Sequence, residues 1–140
     1  MSEVMIVGHE LVEPCLRCDG LLRGELGQTV VGNRLAWSVS SVCDGCGTQL
    51  ESCEWDALPD DYRQILLDRD GTGRLRVDPE GGRPLRLAIL RTLRRYGATL
   101  AEATDTYNRL TGAGVTGTRA EVLLLANRLN ATGVKTQLDP

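Results

Sequence analysis

The 140-residue chain carries 16 Lys and Arg against 19 Asp and Glu, a formal charge of −3, with two Trp, three Tyr and no Phe. That length allows one ordinary domain or two small ones, and no run approaches the ~20 apolar residues of a membrane-spanning helix. The net charge conceals a division, since residues 1–62 sum to −8 and residues 63–140 to +5, which disfavours nucleic acid as a partner for the first half. The opening residues, Met-Ser-Glu-Val-Met-Ile-Val-Gly, lack the basic stretch and long apolar segment of a secretory signal. A cytoplasmic protein with reduced thiols is expected.

Cys15-Leu16-Arg17-Cys18-Asp19-Gly20 is the first strong signal, and Cys43-Asp44-Gly45-Cys46-Gly47 repeats it, with 24 residues between Cys18 and Cys43. A short C-x-x-C turn places two thiolates on one side of a metal and a second turn supplies the other two. Gly20 is expected to take a positive φ that brings backbone amides to sulfur. Between the pairs, Leu21–Leu26 and Leu35–Val42 read as strands, the second alternating Leu35, Trp37, Val39 with Ala36, Ser38, Ser40; Gln49–Trp55 reads as a third. Paired knuckles around β-structure resemble a zinc ribbon, which implies zinc held by Cys15, Cys18, Cys43 and Cys46 over a first domain, residues 1–57. Four thiolates leave zinc no open position, so this is a structural site and adds roughly two negative charges to an acidic half. Cys53 is left over and is expected to be a small buried hydrophobe. His9, the only histidine, is expected to be an ordinary surface or turn residue, with a spare ligand or general base as the alternative.

Residues 58–72 form a bridging segment. Leu58-Pro59-Asp60-Asp61 starts a helix with carboxylates at the positive end of its dipole, and the helix over 61–68 stops at Asp70-Gly71. The third segment, residues 73–140, reads as an α+β domain. Arg74–Val77 alternates like a strand. A helix follows over 84–96 with Pro84 in its first turn. Thr99-Leu100-Ala101-Glu102 and Thr118-Arg119-Ala120-Glu121 are capping boxes that open two further helices, to about Leu110 and Asn130. Val115 is placed in a short strand, and Val134–Leu138 closes as an edge strand. The expected fold class is α+β: a small β-rich ribbon followed by a β-α-α-(β)-α-β sandwich.

At 100° per residue, the helix over 83–96 sets Leu85, Ala88, Ile89, Thr92, Leu93 and Tyr96 on one face, to pack on the sheet. The other half carries Arg83, Arg86, Arg91, Arg94 and Arg95 and also Leu87 and Leu90. A solvated charged face tolerates single leucines. The leucines equally fit cover by the bridging helix or the acidic ribbon, or an apolar centre ringed by Arg that binds a protein partner.

Arg86-Leu87-Ala88-Ile89-Leu90-Arg91-Thr92-Leu93-Arg94-Arg95-Tyr96-Gly97, followed by Thr99-Leu100-Ala101-Glu102-Ala103, resembles the C-terminal domain of the bacterial ribosomal stalk protein, a fold also used by protease adaptors. The resemblance covers about half the chain and implies that Arg86, Leu87, Leu90, Arg91 and Arg94 form a docking surface for translation GTPases. Thr104 stands where that family has a basic residue, Tyr96 where it has small ones, and the family's hinge and dimerising helices have no counterpart.

One histidine, no His/Glu metal cluster and no Gly-rich phosphate loop leave no arguable catalytic set. The expectation is a non-enzymatic zinc-binding adaptor or regulatory protein, with the ribosome or a translation factor as a candidate partner. A nucleic-acid-binding ribbon protein and an antitoxin-like inhibitor of one target are the alternatives.

Overall fold

The computed structural model describes residues 6–139 and is mixed α+β. The chain divides into two units, Met1–Arg69 and Asp70–Pro140. No helix of the described residues is long and apolar enough to cross a membrane.

The first unit is a four-stranded antiparallel meander, β1 (Ile6–Pro14), β2 (Leu21–Val31), β3 (Arg34–Cys43) and β4 (Gln49–Trp55), with helix α1 (Asp60–Asp70) after it. β2 and β3 are long strands of 11 and 10 residues joined by the two-residue turn Gly32-Asn33, with Gly32 at φ 59°. A two-residue hairpin turn fixes register, because a slip by one residue would exchange the two faces. In the register observed, Leu22, Leu26 and Val30 of β2 point inward, as do Val39 and Cys43 of β3. β1 adds Leu11 to this face, and α1 lays Leu66, Tyr62 and Ile65 against Leu11, Leu26, Val39 and Leu58. Each fully buried leucine contributes about 2 kcal/mol by leaving water. The Tyr62 hydroxyl donates to Glu13 Oε1 at 2.8 Å, pinning α1 to β1. Trp37 packs edge-on to Tyr62, 5.9 Å between centroids, and its Nε1–H donates to the Ala57 carbonyl at 3.1 Å. Trp55 is exposed, with the Arg34 guanidinium 4.5 Å over its ring.

Strand β1 was not expected, and β2 runs five residues past the predicted Leu26. Cys53 is exposed rather than buried. It lies on β4, an edge strand in which six of seven residues are exposed. His9 is half-buried in β1, opposite Leu26, not in a turn.

The second unit follows the order β5 (Gly73–Arg76), α2 (Gly82–Arg95), α3 (Leu100–Leu110), β6 (Val115–Gly117), α4 (Arg119–Asn130) and β7 (Gln137–Asp139), with a 3-10 turn at Pro79–Gly81. Its three-stranded antiparallel sheet has β5 in the centre and β6 and β7 at the edges. Gly73 gives Val122 its room there, since a Cβ would stand 2.6 Å from a Val122 methyl and force it to shift. The core gathers Leu75, Val77, Ile89, Leu110, Val122, Ala126, Leu129 and Val134, with Leu85, Ala88 and Leu93 packed against it. Tyr96, assigned to that face, is instead exposed at the end of α2, where the Arg128 guanidinium stacks 3.9 Å over its ring.

Both capping boxes form: the Thr99 and Thr118 hydroxyls accept from the Glu102 and Glu121 amides at 3.1 and 3.2 Å, and each glutamate accepts from its threonine's N–H at 2.9 Å. At the other ends, Gly97 (φ 102°) and Gly133 (φ 87°) turn the chain out of α2 and α4 in the left-handed conformation. Because the Thr118 cap is also buried, Thr118→Ala should cost the second unit about 1 kcal/mol or more. Denaturant unfolding of this variant, followed by circular dichroism, should show that loss, whereas Thr116→Ala, at the exposed position of β6, should not.

Candidate metal centre and the basic helix face

The meander carries both cysteine pairs at one end. Cys15 and Cys18 lie in the β1–β2 connection; Cys43 ends β3, and Cys46 follows in the β3–β4 connection. Antiparallel pairing brings these two turns side by side, and Asp44 N–H to Leu21 O (3.0 Å) with Leu21 N–H to Asp44 Oδ1 (3.0 Å) sews them together. Arg23 braces the same carboxylate at 3.2 Å. As a result the four sulfurs all lie within 4.8 Å of one another, the one cluster of three or more such ligand groups among the described residues. The close pairs run crosswise, Cys15–Cys46 at 3.8 Å and Cys18–Cys43 at 3.4 Å.

These dimensions fit a metal ion. A tetrahedral ion with metal–sulfur bonds of about 2.3 Å sets its sulfurs about 3.8 Å apart. Backbone amides are aimed at the sulfurs as a thiolate site requires: Arg17 N–H to Cys15 (3.4 Å), Gly20 N–H to Cys18 (3.2 Å), Gly45 N–H to Cys43 (3.3 Å) and Cys46 N–H to Cys43 (3.5 Å). Gly20 does its work differently from expectation, for it is not among the positive-φ residues. Its missing side chain leaves room for the opposite turn: a Cβ would meet Cys43 Sγ and Asp44 Oδ1 at 3.0 Å. Gly45 is the reciprocal case, with Cys18 Sγ at 3.2 Å.

The four thiols are not equivalent. Cys15 and Cys43 are buried, Cys18 half-buried and Cys46 exposed. Hydrogen bonds from the Thr48 hydroxyl (3.0 Å) and amide draw Cys46 down to about 6. The Cys46 and Gly45 amides lower Cys43. At Cys18 the Gly20 amide also lowers, but the Cys43 sulfur, desolvation and the other two thiols outweigh it and push the group up to about 12. Without an ion the cluster therefore holds a proton on Cys18 at a pH where Cys46 is already thiolate. An ion that takes all four sulfurs displaces that proton, so metal affinity rises with pH. Thr48 and Asp44 were missed in the sequence; their signal is only that each sits within two residues of a cysteine. His9 and Cys53 are not part of the cluster.

In the second unit, Arg83, Arg86, Arg91, Arg94 and Arg95 are all exposed on α2. Among the described residues none of them makes an ion pair, and the 21 residues from Gly81 to Ala101 include no acid. Arg86 lies 5.6 Å over the Tyr107 ring. Leu87 is 41% exposed and Leu90 half-buried. Residues three and four apart adjoin on a helix, so Arg86, Leu87, Leu90, Arg91 and Arg94 form one continuous patch.

No protein-family model, curated protein or solved structure matches the chain.

In the metal-free protein, Cys46 should be alkylated with a midpoint near pH 6 and Cys18 only at much higher pH, as read by mass spectrometry of the peptides. Equal rates at Cys18 and Cys46 would contradict the assigned polarity of the cluster. Loading with zinc or cobalt should suppress alkylation of all four cysteines, and Cys53 should remain reactive. Cys46→Ser should lower metal content; Cys53→Ser should not.

Proposed function

We propose that the chain is a non-enzymatic, zinc-binding adaptor or regulatory protein. Zinc held by Cys15, Cys18, Cys43 and Cys46 organises a ribbon in the first unit, and the basic-apolar face of α2 binds a protein partner. Zinc suits four sulfurs in a tetrahedral set, and a site closed by four thiolates has no position for a water or substrate. The ion's part is then structural, contributing its binding free energy to folding of the first unit.

The observation that carries the docking reading is the α2 face itself: five exposed arginines without an ion pair among the described residues around an exposed Leu87. A charged helix face that serves only solubility mixes signs and pairs them at i,i+4, as Asp105 and Arg109 do on α3. The resemblance of this segment to the stalk protein's C-terminal domain makes translation GTPases the first partners to try. Phosphate backbone is the rival ligand for the same arginines.

Affinity purification from the native host supplies the partner, and the purified pair supplies the test. Leu87→Asp with Leu90→Asp, and separately Arg91→Glu with Arg94→Glu, should each weaken binding at least tenfold while metal content and helicity stay unchanged. Affinity that survives both pairs would sink the reading. RNA binding that falls steeply with salt and is lost in the arginine pair would move the protein to the nucleic-acid class.

A further inference from the structure

The outer face of the four-stranded sheet, opposite α1, carries a second pattern. Cross-strand partners share a face, so the registers set Glu10 beside Glu25, Glu25 beside Ser40, and Ser40 beside Glu51. All four are exposed, and the row crosses every strand, about 14 Å at the ~4.8 Å spacing of neighbours. None of the three glutamates has an ion-pair or hydrogen-bond partner among the described residues. Glu10 and Glu25 are direct partners, an unfavourable juxtaposition of like charge. The cations on this face are already engaged: Arg23 with Asp44 at 3.2 Å and Arg34 with Asp56 at 2.8 Å. The carboxylate row is left uncompensated.

Apolar side chains band the row on both sides. Toward the cysteine end lie Leu21 and the cross-strand set Val12, Arg23, Val42; toward the hairpin end lie Val31 and Trp55. All five apolar residues are exposed, Val42 at 47% and Trp55 at 49%. Single exposed apolar side chains are ordinary, but five on one face of a small sheet mark an interaction surface. Beside Trp55 a hollow of about 180 Å³, lined by Thr29, Ala36, Ser38 and Cys53 among others, has room for one large side chain.

We propose that this face docks a cationic amphipathic segment of a protein partner, its Lys or Arg side chains on Glu10, Glu25 and Glu51 and an apolar side chain in the hollow beside Trp55. Charge complementarity selects the occupant. Nucleic acid and anionic lipid carry the wrong sign. Glu10 and Glu51 stand three strands apart, too far to share one cation. The face belongs wholly to the first unit, so the inference is independent of the α2 reading.

The test uses the full metal-loaded chain and two fluorescein-labelled 14-residue amphipathic helical peptides, one of leucine and lysine, the other with every lysine replaced by glutamate. Fluorescence anisotropy should show the lysine peptide binding and the glutamate peptide not. Glu25→Lys with Glu51→Lys should weaken binding at least tenfold. Glu80→Lys with Asp105→Lys, the same charge change on the other unit, should leave it within twofold. Trp55→Ser should weaken it at least threefold without altering the charge. Leu87→Asp with Leu90→Asp should have no effect, so this proposal and the α2 reading fail separately. Equal losses from the two charge-reversal pairs would mean diffuse attraction and overturn the proposal, as would absence of binding or equal binding of both peptides. Sedimentation showing a dimer that Glu25→Lys with Glu51→Lys dissolves would make the occupant a second copy of the chain, and would also overturn it.

Discussion

The strand register of the first unit is the constraint on which its chemistry depends. Cys43 reaches the sulfur cluster only because it sits opposite Leu22 on the inner face. A one-residue slip of β3 would turn Cys43 outward and bring Val42 into its place. That register is set at the other end of the strands by the Gly32-Asn33 turn, about 30 Å away at the rise of a β-strand. The hairpin turn and the sulfur cluster thus enforce one another, with the Leu26 and Val39 layer between them held by α1. The tight approach at Gly20 and Gly45 belongs to the same arrangement, since each turn has dispensed with the side chain that would obstruct the other's sulfur.

A cluster closed in this way shifts interest from the metal to the surfaces it holds in place. The first unit presents carboxylates flanked by apolar side chains on a flat sheet. The second presents arginines around leucines on a helix. Among the described residues both surfaces carry charge without an ion pair, and leaving such charge uncompensated has a cost that a purely structural face avoids. Two faces of opposite sign discriminate ligands by charge alone, since a ligand suited to one is repelled by the other.

The parts legible in the sequence were those written in local spacing. The C-x-x-C pairs announce the four ligands because each pair's spacing is local, and Thr-x-x-Glu specifies both helix starts because a capping box involves four consecutive residues. The exposed arginines of α2 were legible for the same reason, although Tyr96, at the end of the helix, was placed on the wrong face. What escaped depends on neighbours remote in sequence. β1 was hidden because Glu10 and Glu13 interrupt its apolar residues, and only pairing with β2 shows which side each faces. Cys53 was misjudged because its surroundings follow from β4 being an edge strand with nothing packed over it. The row of Glu10, Glu25 and Glu51 has no sequence signature, for its members come from three strands and meet through register alone.

The placement of the indoles has a practical consequence. Both tryptophans of the chain, Trp37 and Trp55, lie in the first unit, while the second has only Tyr96 and Tyr107. Trp37 is packed against Tyr62 and held by the Ala57 carbonyl, whereas Trp55 stands in solvent under a guanidinium. Tryptophan emission is therefore a native optical label for one half of the molecule: its blue component reports the core between sheet and α1, and its red component the sheet surface. Far-ultraviolet circular dichroism, weighted toward the helices of the other half, supplies the complementary channel. The two units can be followed separately in one cuvette, without cutting the chain or adding a dye.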